Sequence, residues 1–469
     1  MLLPWQFHEI NKDYLITNEA GSFFYCNEKT LNQLINKDID PVLKTFLKSK
    51  NFFSEDLDDS HWNNYLFNLY KRKSTSKKIN YMILVPTLRC NLKCSYCQVS
   101  RVDIDKVGYD WGEEEISNFE KFIIDNEIDN IKIEFQGGEP SLVPHILKKI
   151  VDIVEKNTTY CEFVVCSNLS YLNQELLDLY EKDNFYISTS LDGKLDQHQT
   201  QRTENLEETN QFFENFNFII KTYGINKLSA LPTITDFNKI DEIINEYVSH
   251  GFNTIFLRPV NYQGFARKQF QKNAFDFQEW NKAYISALNY IFDFNYNNEH
   301  KIKEFNFENA LKRIFHVGTN GYIDLRSPNI YGKDFIVIDY DGKFYPSDES
   351  RMMTRIGLID LNIGSLENGF DNQKLSNMNL NNFNEIDPDC LHCAYQQYCG
   401  IDNIDSISRY GTTDISTHDK YFCKTNMFYF DTIFKKIYDK NPKDIFNING
   451  FLTDIFSTQN HFSNIFYYD

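Results

Sequence analysis

Between Asn80 and Asn297 short apolar runs alternate with stretches of helical period, and this alternation leaves few architectures open to the chain. The runs are Tyr81–Val85, Ile131–Phe135, Glu162–Cys166, Phe185–Ser188, Leu228–Leu231 and Thr254–Leu257. Between them Ile146, Leu147, Ile150, Ile153 and Val154 share one helical face, as do Phe212, Phe216, Ile219 and Ile220. Six strands separated by helices imply α/β architecture with a parallel sheet and crossover helices. Six units in place of eight point to a partial (β/α)6 barrel of the TIM type over residues 76–300. Reactive groups in such folds collect at the carboxyl ends of the strands.

The flanks read differently. Residues 1–75 form a small α+β module, with strands at Tyr14–Thr17 and Phe23–Cys26 around the turn Asn18-Glu-Ala-Gly21, then a helix over about 30–49. Residues 318–440 form a C-terminal domain that opens on a hairpin, Phe335–Tyr345, turning at Asp341-Gly342. Residues 441–469 are an aromatic and Asn-rich tail without a clear pattern. No apolar run reaches the length of a membrane span, and the N-terminus lacks the form of a secretory signal. A cytoplasmic protein is expected. The net charge of −18 and the lack of a basic patch argue against nucleic acid as partner. The one basic cluster, Lys71–Lys73 with Lys77 and Lys78, reads as a solvated linker.

Ten cysteines in a cytosolic chain suggest metal or catalysis before disulfides. Cys26, Cys161 and Cys166 are isolated and read as structural thiols. The others fall into two groups. Cys90, Cys94 and Cys97 occupy one short loop directly after the first strand. Cubane iron–sulfur clusters normally take four thiolates. Three on one tight loop leave one iron with an open position for a substrate.

This spacing resembles the signature of the radical S-adenosylmethionine (SAM) superfamily. The resemblance implies a [4Fe-4S] cluster held by Cys90, Cys94 and Cys97. It also implies that SAM would chelate the open iron and be cleaved to a 5′-deoxyadenosyl radical that abstracts hydrogen. Gly137-Gly138-Glu139-Pro140, after the second strand, is similar to the superfamily's motif for the SAM amino group. Asn168 resembles its ribose-contacting position, and Ser190 ends the fourth strand. Arg202 resembles the residue that pairs with the SAM carboxylate, as a guanidinium fork can. Leu257 resembles an adenine-packing position. His198 stands at an offset seen in related members, where structural and functional readings are both open.

The second group, Cys390, Cys393, Cys399 and Cys423, resembles the SPASM extension of peptide-modifying members. It departs from that pattern at Ser347 and Asn403, where cysteines are usual. The resemblance then implies one auxiliary [4Fe-4S] cluster on four cysteines, and no other. A structural zinc is the alternative for a four-cysteine set. Asp348 matches a proton acceptor of sulfatase-maturing relatives, or is simply an aspartate at a hairpin end.

Longer stretches are similar to the B-type radical SAM maturases of His-Xaa-Ser systems. These are Asn18–Gly21, Glu134–Pro140, Ser188–Gly193, Phe256–Asn261 with Gly264–Ala266, Tyr322–Pro328 and Ser347–Met352. The resemblance implies a ribosomal precursor peptide with His-Xaa-Ser repeats, a second radical SAM maturase as partner and an external electron donor. Two other readings remain: an anaerobic sulfatase-maturing (formylglycine-generating) enzyme, and a non-catalytic iron–sulfur carrier.

Overall fold

The computed structural model describes residues 1–57, 59–74, 78–97, 99–262, 266–269, 277–316, 318, 325–452 and 467–468. Gly264, Phe265 and Tyr322–Asp324, quoted above, lie outside the described residues, as does most of the tail. Among the described residues no helix is long and apolar enough to cross a membrane. The chain divides into two compact units. One comprises Met1–Thr75, Leu288–Asn329 and Leu380–Asp469, the other Ser76–Ala287 and Ile330–Asn379. Residues 318–440 thus contribute to both.

The first unit opens with β1 (Gln6–Ile10), β2 (Asp13–Thr17) and β3 (Phe23–Cys26), an antiparallel meander in which Tyr14 faces Cys26. The far edge of β3 is taken by the C-terminal strand Tyr467–Tyr468, in parallel. The helix expected over 30–49 is two helices, Glu28–Asn36 and Pro41–Ser49. Lys37 adopts a left-handed conformation that ends the first. Asp40 caps the second, accepting from the amides of Val42 and Leu43 at 2.9 Å, with Pro41 at the first helical position. Their apolar faces, Leu31, Leu34, Leu43 and Leu47, close on Ile16 and Phe24.

The second unit is built on a nine-stranded sheet. Its strands include β4 (Tyr81–Thr87), β5 (Asn130–Gly137), β6 (Tyr160–Cys166), β7 (Phe185–Ser190) and β8 (Leu228–Leu231). These five are parallel, in the order β8-β7-β6-β5-β4. Helices Glu113–Asp125, Pro144–Asn157, Gln174–Tyr180 and Leu206–Tyr223 lie in the four crossovers. On the helix-covered face Phe135, Phe163 and Phe185 stand side by side, with ring centroids 6.2 and 5.9 Å apart. Each is fully buried and contributes about 1.5–3 kcal/mol.

The sixth parallel neighbour differs from expectation. It is β9 (Phe335–Ile338), the first arm of the predicted hairpin, which pairs with β4 on its other side. Its partner Lys343–Tyr345 and two short strands extend the sheet in antiparallel fashion. The run at Thr254–Leu257 forms a strand only over Thr254–Ile255, outside this sheet. Pro259, which lacks an amide donor, follows shortly after; the chain continues beside Ile234, whose amide donates to Arg258 O at 3.0 Å.

Candidate active site

The first cysteine group sits where β4 breaks up. Pro86 falls in a register shift between Leu84 and Thr87, a place where a strand tolerates the missing donor. Asp110 then clamps the exit. It accepts from Thr87 Oγ1 and takes both Nε and Nη2 of Arg89, at 2.8 and 2.6 Å. Cys90 follows, with Leu92 N donating to its sulfur at 3.4 Å. Ser95 N bonds Gln201 O at 2.8 Å, and Ala266 N bonds Cys97 O at 3.1 Å. The Cys94 thiol points to Arg202 O at 3.9 Å, and that of Cys97 to Val99 O at 3.4 Å. Burial, then the charge of Glu139, pushes the Cys90 thiol up to about 12. Burial and Cys94 push Cys97 up to about 11. Iron held by these thiols would reverse that bias, because a coordinating thiol is deprotonated outright.

The glycine pair packs directly against this loop. A Cβ on Gly137 would stand 2.2 Å from Thr87 O, and one on Gly138 2.2 Å from Arg89 O. Gly137 also has φ +135°, a region that suits only glycine. Gly138 N and Glu139 N donate to Thr87 O and Arg89 O, at 3.0 and 2.7 Å. The glycines are therefore required by the close approach of the chain to itself. Glu139 is buried, which raises its pKa against the amides of Asn168 and Ser141 that its carboxylate accepts, at 2.7 and 3.1 Å. Pro140 opens the short turn that Glu139 caps. Asn168 reaches back to the cysteine loop, its Nδ2 donating to Asn91 Oδ1 at 2.9 Å.

Arg202 ends the helix Leu195–Arg202 and is held over the loop. Its Nη1 donates to the phenol oxygen of Tyr96 at 2.6 Å, and Tyr96 donates to Asp192 Oδ2 at 2.5 Å. Asp192 Oδ1 accepts from Thr233 N at 2.8 Å. Burial works against the Arg202 charge, but Tyr96, Cys94 and Asp192 outweigh it and hold the guanidinium protonated. Arg202 Nε is buried with no hydrogen-bond partner, an orphaned donor that fits a carboxylate. Tyr96 was not singled out from the sequence, and Asp192 entered only as part of the stretch Ser188–Gly193. The signal for Tyr96 was present in Cys94-Ser95-Tyr96-Cys97, an aromatic wedged between two cysteines. Ser190 closes β7, and Leu257 is fully buried just past Thr254–Ile255. His198 stacks on Phe212 at 4.0 Å and its Nδ1 has no partner. Burial, then Arg202, pulls its pKa down to about 2, so it is a neutral packing residue at ordinary pH.

The second cysteine group lies in the first unit. Cys390 and Cys393 follow the Asp387 cap, Cys399 ends the turn, and Cys423 lies in the first turn of the helix Tyr421–Asp439. Tyr395 N donates to Cys393 Sγ at 3.4 Å. Burial raises all four thiols. Cys399 is raised further by the charges of Cys393, Cys390 and Cys423. Four such thiols suit a cubane or a zinc ion equally as a donor set. Among the described residues no group of three or more His, Cys, Asp and Glu is arranged for a single metal ion. The case for iron therefore rests on number and spacing. Ser347 and Asn403 have structural tasks. Ser347 caps the helix Asp348–Arg355, and Asn403 Nδ2 bonds Asn381 O and Asn382 Oδ1 at 2.9 and 2.7 Å. The carboxylate of Asp348 is taken by the fully buried Arg351, whose Nε donates to it at 2.8 Å.

Residues 84–257 match the profile of the Radical SAM superfamily. The chain carries a radical SAM domain. Its fold is that of radical SAM enzymes with additional C-terminal structure. The structure described as native anSMEcpe with bound AdoMet superposes at TM-score 0.58 and 16% identity, over 79% of this chain and 99% of that one. Streptococcus suis SuiB bound to precursor peptide SuiA superposes at TM-score 0.51 and 12% identity, over 90% and 100%. Among curated proteins, a cysteine-type anaerobic sulfatase-maturating enzyme of Clostridium novyi is 22% identical over 305 residues, 58% of this chain and 74% of its own. An uncharacterized protein of Methanocaldococcus jannaschii is 28% identical over 117 residues, 24% of this chain. The match spans only 39% of that relative's length.

Proposed function

We propose that this chain is a radical SAM enzyme that modifies a ribosomally made peptide. The observation carrying the reading is the three-cysteine loop, bonded to the Gly137–Pro140 turn on one side and to Arg202 on the other. In this reading Cys90, Cys94 and Cys97 hold a [4Fe-4S] cluster, and cluster and SAM together supply a carbon radical able to abstract hydrogen. The protein's part is placement. Gly137, Gly138, Glu139 and Pro140 shape the turn beside the cluster loop, and Asn168 braces both. Arg202 offers its orphaned Nε to a carboxylate. Ser190 and Leu257 are assigned to the ribose and adenine sides. Cys390, Cys393, Cys399 and Cys423 are assigned to one auxiliary cluster.

The peptide reading draws support from folds. Similar structures are described with a Kp18Cys peptide and with precursor peptide SuiA. The resemblance to B-type His-Xaa-Ser maturases narrows it to a His-Xaa-Ser repeat precursor, with a second maturase and an external electron donor as partners. A cytoplasmic setting suits the reduced thiols. Residues 1–75 are assigned to precursor recognition by strand addition at a sheet edge. The β3 edge is already covered by Tyr467–Tyr468, which leaves β1, where Phe7 is exposed. Mass spectrometry of the repeat peptide, co-expressed with this protein, tests the proposal. A mass change absent with Cys94→Ala supports it; an unmodified peptide from a SAM-cleaving enzyme sinks the substrate assignment. The Clostridium novyi relative and Asp348 favour a second reading, oxidation of a sulfatase cysteine or serine. Formylglycine in a co-expressed sulfatase would select it.

A further inference from the structure

Two arginines are buried behind the second cysteine group. Arg72 and Arg313 are each 5% exposed, and both line one cavity with Cys399. Arg72 gives its three donor nitrogens to neutral acceptors: Nε to Ala20 O, Nη1 to Arg313 O and Nη2 to Ile314 O, at 2.8, 2.7 and 3.1 Å. Its guanidinium carbon lies 5.2 Å from the ring centroid of Tyr398, the residue before Cys399. Arg313 Nε donates to Tyr398 O at 3.1 Å. The fold goes to some length to keep Arg72 there. A Cβ on Gly21 would stand 2.1 Å from Arg72 Nε, and Gly21 O accepts from Tyr398 OH at 3.0 Å. Holding a guanidinium in a dry interior on neutral acceptors, as Arg72 is held, is costly without an anion nearby. Glu385, which lines the same cavity, is engaged by Ser327 Oγ and Lys73 Nζ, at 3.1 and 3.6 Å.

We infer that Arg72 and Arg313 are the counter-charges of the second centre and hold its reduction potential up. This rests on the auxiliary-cluster reading. A cluster on four thiolates is net anionic, and each added electron deepens that charge. Net charge and hydrogen bonding around the sulfurs are established levers on cluster potential. The arginines lie on the Cys399 side of the group, where they share one cavity with it.

The test uses the full chain with Cys90→Ala, Cys94→Ala and Cys97→Ala, so that only the second centre is read. After anaerobic reconstitution, a redox titration followed by electron paramagnetic resonance gives its midpoint potential. Arg313→Gln and Arg72→Gln should each lower it, and together shift the reduction equilibrium at least tenfold, about 59 mV for a one-electron couple. Arg313→Lys should stay near the parent. An unmoved potential in folded, iron-replete Gln variants overturns the inference. If a Gln variant holds no iron, the Lys variant decides. Iron kept with Lys upholds the charge, whereas iron lost from both assigns the arginine to packing and overturns it. Zinc in the parent, before any arginine is changed, sinks the cluster reading itself and the inference with it.

Discussion

Arg202 Nη1 meets the phenol oxygen of Tyr96 at 2.6 Å, and this bond joins the helix after β7 to the cysteine loop after β4. Tyr96 passes the connection to Asp192. A buried cation and a buried carboxylate are thus bridged by one neutral hydroxyl seated between two of the proposed iron ligands. Removing the hydroxyl leaves both partners short of a bond in a dry site. Tyr96→Phe should cost about 1–3 kcal/mol of stability, read from urea unfolding. It should also slow 5′-deoxyadenosine formation, because Arg202 loses its anchor. Unchanged stability and turnover would dismiss the bridge.

The glycine pair leads to a sharper expectation. In Gly138→Ala the new methyl would meet the Arg89 carbonyl, which is backbone and cannot rotate away. The cysteine loop must shift. Iron content of the first centre should fall by half or more, while Gly450→Ala, whose Cβ meets nothing within 4 Å, should leave it unchanged.

Iron counting separates the two cysteine groups. Anaerobically reconstituted protein should hold about eight irons per chain. Cys94→Ala and Cys423→Ala should each reduce this to about four. Only Cys94→Ala should abolish reductive SAM cleavage. About four irons plus one zinc in the parent would refute the auxiliary cluster.

His198 sets a pH dependence. Its pKa is about 2 when folded, against an ordinary 6.5. The unfolded chain therefore binds a proton that the folded chain refuses. The contribution is fully present above pH 6.5 and is lost progressively as pH falls toward 2, by about 1.4 kcal/mol per pH unit. Urea unfolding at pH 7 and pH 5 should show this loss, and His198→Phe, which keeps an aromatic ring against Phe212, should reduce it. An identical loss in the variant would assign the pH dependence elsewhere.

Asp348 is tied to a fully buried arginine, which makes its removal a stability experiment first. Asp348→Ala strips Arg351 of one of its two carboxylates, the other being Asp339 at 3.4 Å. A loss of about 3 kcal/mol is expected. Intact stability with abolished peptide turnover would instead identify a proton acceptor.

The helical periods at 146–154 and 212–220 and the strands from Tyr81 to Leu231 were legible because burial of one face repeats with a fixed spacing. The hairpin at Asp341-Gly342 was legible from its turn residues. That β9 joins β4 in parallel was not, because pairing between strands so far apart in the chain leaves no local trace. The break at Lys37 to Pro41 shows another limit. Leucines on both sides continue an apolar pattern, and only the Asp40 cap with Pro41 marks two helices.

The sequence by itself determined the chemistry on offer: three thiols at one spacing, four at another, and a double glycine after a strand. Ligand type and short-range spacing are written in consecutive residues. Tertiary structure alone decided which charges meet. Nothing local links Tyr96 to Asp192 and Arg202, or Arg72 to Tyr398 and Arg313. These groups come together because a buried charge must find partners, and the fold selects partners by distance in space.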